Sequence, residues 1–225
     1  MSEDKDSNQV LLEPPPANDS PTSTLSGLFG DDSLAFVTAK LSIADALLRL
    51  VTRDCKFGEF AREALLLVMR VVKAEAGSIL EVNHAASNLF FRAVVGQSSD
   101  RVLNFVIPLG QGIVGHVVES RQPLVVANVE ESKIHLRAIQ DAVGFETKNL
   151  VAIPVIVRGQ VYGVLELLNR VGESNFTPSD LELLNYFCEL FAKAIEARLM
   201  IAWQKGQRGQ APGGADSSQS GSEAA

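Results

Sequence analysis

Two apolar runs, 150–157 and 160–168, stand two residues apart with Arg158-Gly159 between them, and this pair constrains the fold more than any other stretch. A two-residue connection joins neighbouring antiparallel strands. Runs that are apolar almost throughout, rather than alternating, belong at the centre of a sheet covered on both faces. The rest of the chain must therefore supply two covering layers. One carboxylate, Glu166, interrupts the second run, and a buried carboxylate needs a partner. Arg92 or Arg170 answers that need structurally; a hydrogen-bond donor on a bound ligand is the other answer.

The remaining strands come earlier. Residues 78–83 and 89–95 read as strands joined by the polar turn 84–88, with His84 an exposed turn residue. Residues 103–108 form a third short strand. Residues 122–128 form a fourth, led in by Pro123, a residue suited to the start of a strand. With the hairpin this makes a six-stranded antiparallel sheet of the α+β class.

Helices supply one cover. In the first, Leu34, Val37, Leu41, Ala44, Leu48 and Val51 recur at spacings of three and four, and a second stripe of Phe36, Ile43, Leu47 and Leu50 runs beside them. Two stripes are wider than one contact requires, so one rests on the domain and the other meets a partner helix. Phe57 to Val72 gives a second amphipathic helix, broken at Gly77. The closing helix opens on Thr177-Pro178-Ser179-Asp180, a hydroxyl cap, a proline at the first helical position and an acid three residues after the cap. It too carries two stripes, led by Leu181-Leu184-Cys188 and by Leu183-Phe187-Leu190. The first and last helices thus look like a matched pair for a homodimer across a two-fold axis.

The ends read differently. Residues 1–32 hold three consecutive prolines and seven acids against one lysine, a net charge of −6 out of −7 for the whole chain. Such a segment buries too little to offset its ordering entropy and reads as a disordered acidic tail. Residues 205–225, rich in Gly, Ser, Gln and Ala, read as a second disordered tail. Between them lie an N-terminal helix, 33–55, and a folded domain, 56–204. That middle is nearly neutral, which argues against nucleic acid as a partner. No long apolar run or charged leader suggests a membrane partner or secretion, so the cytoplasm is the expected location. Cys55 and Cys188, both expected on helices, lack metal spacing, and no metal is expected.

Two segments suggest a binding site. Glycines at 110, 112 and 115 surround a helix beginning near Ile113, whose first N–H groups favour an anionic oxygen, although the spacing matches no nucleotide-binding loop. His116 on that helix reads as a hydrogen-bonded structural residue. Residues 130–149 form a polar connection read as a lid, with a short helix around 135–143 ended by Gly144, closing over a pocket floored by the sheet.

In that order the elements resemble a GAF domain over about 57–200. The run Asp141, Gly144-Phe145, Thr147, Asn149-Leu150, Pro154, Gly163-Val164, Glu166, Asn169-Arg170, Phe176 and Asp180 is similar to the branch found in cyclic-nucleotide phosphodiesterases and adenylyl cyclases. The resemblance implies helices on one face of the sheet and lid loops on the other. It implies a ligand pocket formed by Ser78, the backbone amides of Ile113 and Val114, Thr147 and Glu166. It implies a structural brace of Asn169, Arg170, Phe176 and Asp180, with Arg170 paired to Asp180; Leu181 stands where the branch carries a second acid. Gly96 stands where a cyclic-GMP-binding member carries a base-reading acid, and Val143 where the lid carries a threonine.

The expected function is a sensor that needs no cofactor. It binds a small molecule, a cyclic nucleotide being one candidate, and signals through paired terminal helices to a downstream protein partner. The alternative is a ligand-free dimerisation and docking module, its pocket filled by Phe105, Val143 and Phe145. No catalytic residue is assigned, because the GAF proteins that reduce methionine sulfoxide need a cysteine in the pocket and none is expected there.

Overall fold

A computed structural model describes residues 31–97, 99–129 and 144–209. The lid reading of 130–143, with Asp141 and Val143, falls outside these residues, as do nearly all of both expected tails. The described part of the chain divides after Thr38, and the sheet belongs to the unit that begins at Ala39.

The elements are α1 (Asp31–Thr52), α2 (Phe57–Val72), β1 (Ala74–Asn83), β2 (Asn88–Val95), α3 (Ser99–Val102), β3 (Val106–Pro108), α4 (Gly112–Ser120), β4 (Leu124–Val126), β5 (Leu150–Val157), β6 (Gln160–Arg170) and α5 (Pro178–Gly209). The six strands form one sheet in the order β3-β2-β1-β6-β5-β4, and every neighbouring pair is antiparallel.

The β5–β6 hairpin closes through Arg158 and Gly159, both at positive φ (49° and 77°), the geometry whose twist matches the flanking strands. Pro154 sits inside β5 without breaking a ladder. It pairs with Val164 of β6, while β4 reaches only as far as Ala152, so the missing N–H faces no strand. Gly163 has no such latitude: a Cβ there would lie 2.0 Å from the Leu80 carbonyl oxygen, so the close approach of β6 to β1 requires glycine.

Helices α2 and α5 cover one face. Phe60, Phe187 and Phe191 are fully buried, with Phe191 stacked 5.4 Å from Phe60 and 5.6 Å from Phe187. The α5 cap is reciprocal: Thr177 N–H donates to Asp180 and Asp180 N–H donates to Thr177 Oγ1. The two stripes of α1 separate as expected. Ile43 and Leu47 are buried, whereas Leu41 and Leu48 are 65% and 69% exposed. Lys40 pairs with Glu182, and Asp54, just past α1, pairs with Lys205, so the part of α1 from Ala39 onward runs beside α5 in the same direction. Between those pairs the Arg198 guanidinium donates to the carbonyls of Leu50, Val51, Arg53 and Cys55 and lies 4.8 Å above the Phe60 ring.

Helix α4 covers the other face, with Ile113, Val114 and Val117 packed among Leu80, Leu89 and Phe91.

Five element expectations are corrected. Helix α2 ends at Val72 with Lys73 in the left-handed conformation, and Gly77 lies within β1, because pairing with β6 as far as Arg170 draws Ala74–Ala76 into the strand. The stretch 103–108 is a strand only from Val106, and β4 only from Leu124 to Val126. Cys55 lies in the connection between α1 and α2 rather than on a helix. Helix α5 runs to Gly209, past the expected start of the tail.

A cavity at the sheet and its relatives

Ser78 on β1 and Glu166 on β6 are directly opposed in the ladder, and Ser78 Oγ donates to Glu166 Oε2 at 3.3 Å. Both border a cavity of about 110 Å³. Its walls are largely apolar, with Phe91, Val94, Ile107, Phe145, Leu150 and Leu168 among them. Roughly 10–15 Å³ admits one water, so this space holds several, or a small organic molecule.

Neither arginine expected as a partner reaches Glu166. Arg92 donates to Glu81 at 2.7 Å and lies over the Phe57 and Phe90 rings. Arg170 is held by Asp180. Burial drives the Glu166 carboxyl up to about 7, and the Ser78 hydrogen bond offsets only part of that rise. Of the partners open in the sequence, both arginines are therefore ruled out, and the protein donor to Glu166 is Ser78.

Helix α4 brings its first turn to the same cavity, with Gly112, Ile113 and Val114 in the wall. Gln111 precedes it in extended conformation and makes no side-chain cap, so the first-turn N–H groups lack intrahelical partners at the end of the helix that borders the cavity. Thr147 is 6% exposed and borders the cavity, and its hydroxyl makes no hydrogen bond among the described residues.

The brace explains why Thr147 sits there. Asn169, buried and at φ 56°, donates from Nδ2 to the Glu146 carbonyl at 2.9 Å and accepts from Lys148 N–H at 2.8 Å, so it grips the backbone on both sides of Thr147. Its Nδ2 also donates to Glu75 at 3.0 Å. Asn149 fixes the next link, accepting from Arg170 N–H and donating to the Ser174 carbonyl. Arg170 Nε and Nη2 hold the two oxygens of Asp180 at 2.9 and 3.3 Å, both side chains nearly buried, and Phe176 is buried as well. The five expected binding positions thus border one cavity, Asn169, Arg170 and Asp180 are hydrogen-bonded beside it, and Phe176 is buried.

Two positions read differently in three dimensions. Gly96 has φ 133°, and a Cβ there would lie 2.7 Å from that of Ala76, so the backbone itself excludes the side chain the family pattern suggested. The adjacent Gln97 borders the cavity, a polar contact with no signal in the sequence beyond following that glycine. His116 is exposed and makes no side-chain hydrogen bond among the described residues, which corrects its structural reading. Cys188 is buried, its thiol pushed far up by desolvation, and neither cysteine borders the cavity.

The family model for the GAF domain matches residues 57–195, the span that contains the whole sheet, the cavity and the brace. This chain belongs to the GAF family. Among curated proteins, this GAF chain is similar to the rod cGMP-specific 3',5'-cyclic phosphodiesterase subunit alpha of Canis lupus familiaris. That likeness is 35% identity over 79 residues, 35% of this chain and 9% of the relative. It is also similar to the cone cGMP-specific subunit alpha' of Mus musculus, 23% identical over 147 residues, 61% of this chain and 17% of the relative. The chain therefore spans under a fifth of the length of these relatives. Among solved structures, the GAF domain of a Coxiella burnetii phosphoenolpyruvate-protein phosphotransferase superposes with a TM-score of 0.61 at 20% identity, over 76% of this chain and 98% of that one. A free methionine-R-sulfoxide reductase from Neisseria meningitidis, in complex with its substrate, superposes at 0.57 with 14% identity, over 82% and 96%. At these identities the structures establish the shared fold. No helix among the described residues is long and apolar enough to cross a membrane.

Proposed function

We propose that this GAF domain is a sensor: it binds a small organic molecule in the cavity between β1, β6 and α4 and passes occupancy through α1 and α5 to a second copy of the chain. The observation that carries this reading is a cavity bordered by uncommitted polar groups, the Thr147 hydroxyl and the α4 N–H groups, beside a brace whose polar groups are engaged. An open cavity also weighs against a pocket filled by its own side chains; Phe145 lines it without closing it. Cyclic nucleotides are one candidate class, since the similar curated proteins are named for cyclic GMP. The reading calls for no metal or prosthetic group, places the protein in the cytoplasm, and includes neither nucleic acid nor membrane as partner. Output goes through the dimer to a downstream protein.

The test is thermal stabilisation by cyclic AMP, cyclic GMP and related metabolites, together with native mass spectrometry for subunit number and co-purified ligand. A ligand at 100 times its Kd adds about 2.7 kcal/mol. A flat response across a broad panel, with no mass beyond the polypeptide, refutes ligand sensing. A second reading, a ligand-free dimerisation and docking module, is favoured by the exposed Leu199, Met200 and Trp203 on α5. It predicts the same dimer with no ligand response.

A further inference from the structure

The polar groups around the cavity differ in what they ask of a ligand. Glu166 offers a carboxylate with one protein donor, Ser78 Oγ at 3.3 Å on Oε2, and no described residue donates to its other oxygen. Among the described residues no Lys, Arg or His lines the cavity, and the two arginines nearest in the sequence pattern are held by Glu81 and Asp180. A carboxylate in a largely apolar enclosure without a counter-charge among the described residues is costly, and a ligand that carries a donor recovers that cost on binding. The first turn of α4 makes the opposite demand, since its uncapped N–H groups favour an acceptor. Thr147, 6% exposed and without a hydrogen-bond partner among the described residues, meets either demand with one hydroxyl. Between these groups the walls are apolar apart from Gln97.

From these contacts we infer that the cavity selects an amine-bearing, overall neutral ligand: a zwitterion whose ammonium pairs with Glu166, whose apolar body fills the middle, and whose acceptor end meets the first turn of α4. This rests on the reading of the cavity as a ligand site and narrows it. A simple anion satisfies α4 but sets a second negative charge in the same enclosure as Glu166.

The test uses one apolar body with the charges varied. The full chain is titrated at pH 8 by calorimetry and thermal shift with phenylalanine, 2-phenylethylamine, 3-phenylpropionate and cyclic GMP, in wild type and in Glu166→Gln. The amine-bearing compounds bind wild type at least tenfold more tightly than 3-phenylpropionate, and Glu166→Gln removes that preference. Binding of 3-phenylpropionate or cyclic GMP as tight as that of the amines, or a preference unchanged in Glu166→Gln, overturns the inference while leaving the cavity a ligand site. No binding by any of the four overturns the inference; the reading beneath it falls only if the broad metabolite panel is flat as well.

Discussion

Replacing Glu166 by glutamine should make the unliganded protein more stable above neutral pH, an unusual direction for a substitution at a candidate site. The folded-state carboxyl titrates near 7 against an ordinary 4.5, so the folded state holds its proton more tightly than the unfolded chain does. Below 4.5 both states are protonated and nothing is lost. As pH rises from 4.5 through about 7 the unfolded chain gives up the proton first, and stability falls. Above 7 the loss is complete, and the separation between the two values corresponds to roughly 3 kcal/mol. The substituted amide keeps the shape, accepts from Ser78 and carries no charge. The variant should therefore match wild type at pH 4.5 and exceed it at pH 8 by up to about 3 kcal/mol, or ~6–12 °C in Tm for a domain of this size. Urea titrations at pH 4.5, 6, 7 and 8 read the difference directly. Parallel pH curves for the two proteins would refute the burial argument, because the pH-dependent part of their difference belongs to this one carboxyl.

Three further outcomes follow from the frame and the helices. Asp180→Ala removes one member of a nearly buried pair and a reciprocal cap at once, and should cost about 3–5 kcal/mol in urea unfolding; a loss under about 1 kcal/mol would show that Arg170 finds another partner. Leu41→Glu with Leu48→Glu alters side chains that are already exposed, so the Tm should stay within a few degrees while sedimentation shifts from dimer to monomer; a dimer unchanged in mass would place the interface elsewhere. Arg198→Lys supplies a point charge where a planar fork now meets four carbonyls, and should raise amide exchange about tenfold or more over 44–56 with β1 and β6 unchanged. Unchanged exchange over 44–56 would mean that Ile43 and Leu47 hold α1 unaided.

How much of this was legible in the sequence depends on what each feature required. The β5–β6 hairpin, the Thr177–Asp180 cap and the two stripes of α1 are local patterns, and each stands where its period or turn chemistry puts it. The strand limits were harder, since pairing with β6, not residue propensity, decides that Ala74–Ala76 are extended. The partner of Glu166 was out of reach for a geometric reason. In the β1–β2 ladder Ile79 pairs with Ala93 and Leu80 with Phe91, so Arg92 is the extra residue of a bulge. That single insertion brings Arg92 to Glu81 and the Phe57 ring, and it breaks the alternation by which a reader of the sequence assigns faces. The consequence for the site is direct. A regular β2 leaves Arg92 free to be assigned to either carboxylate, whereas the bulged strand commits it to Glu81 and leaves Glu166 with a serine among the described residues, and so which carboxylate of the sheet is paired with an arginine is set by one residue of register.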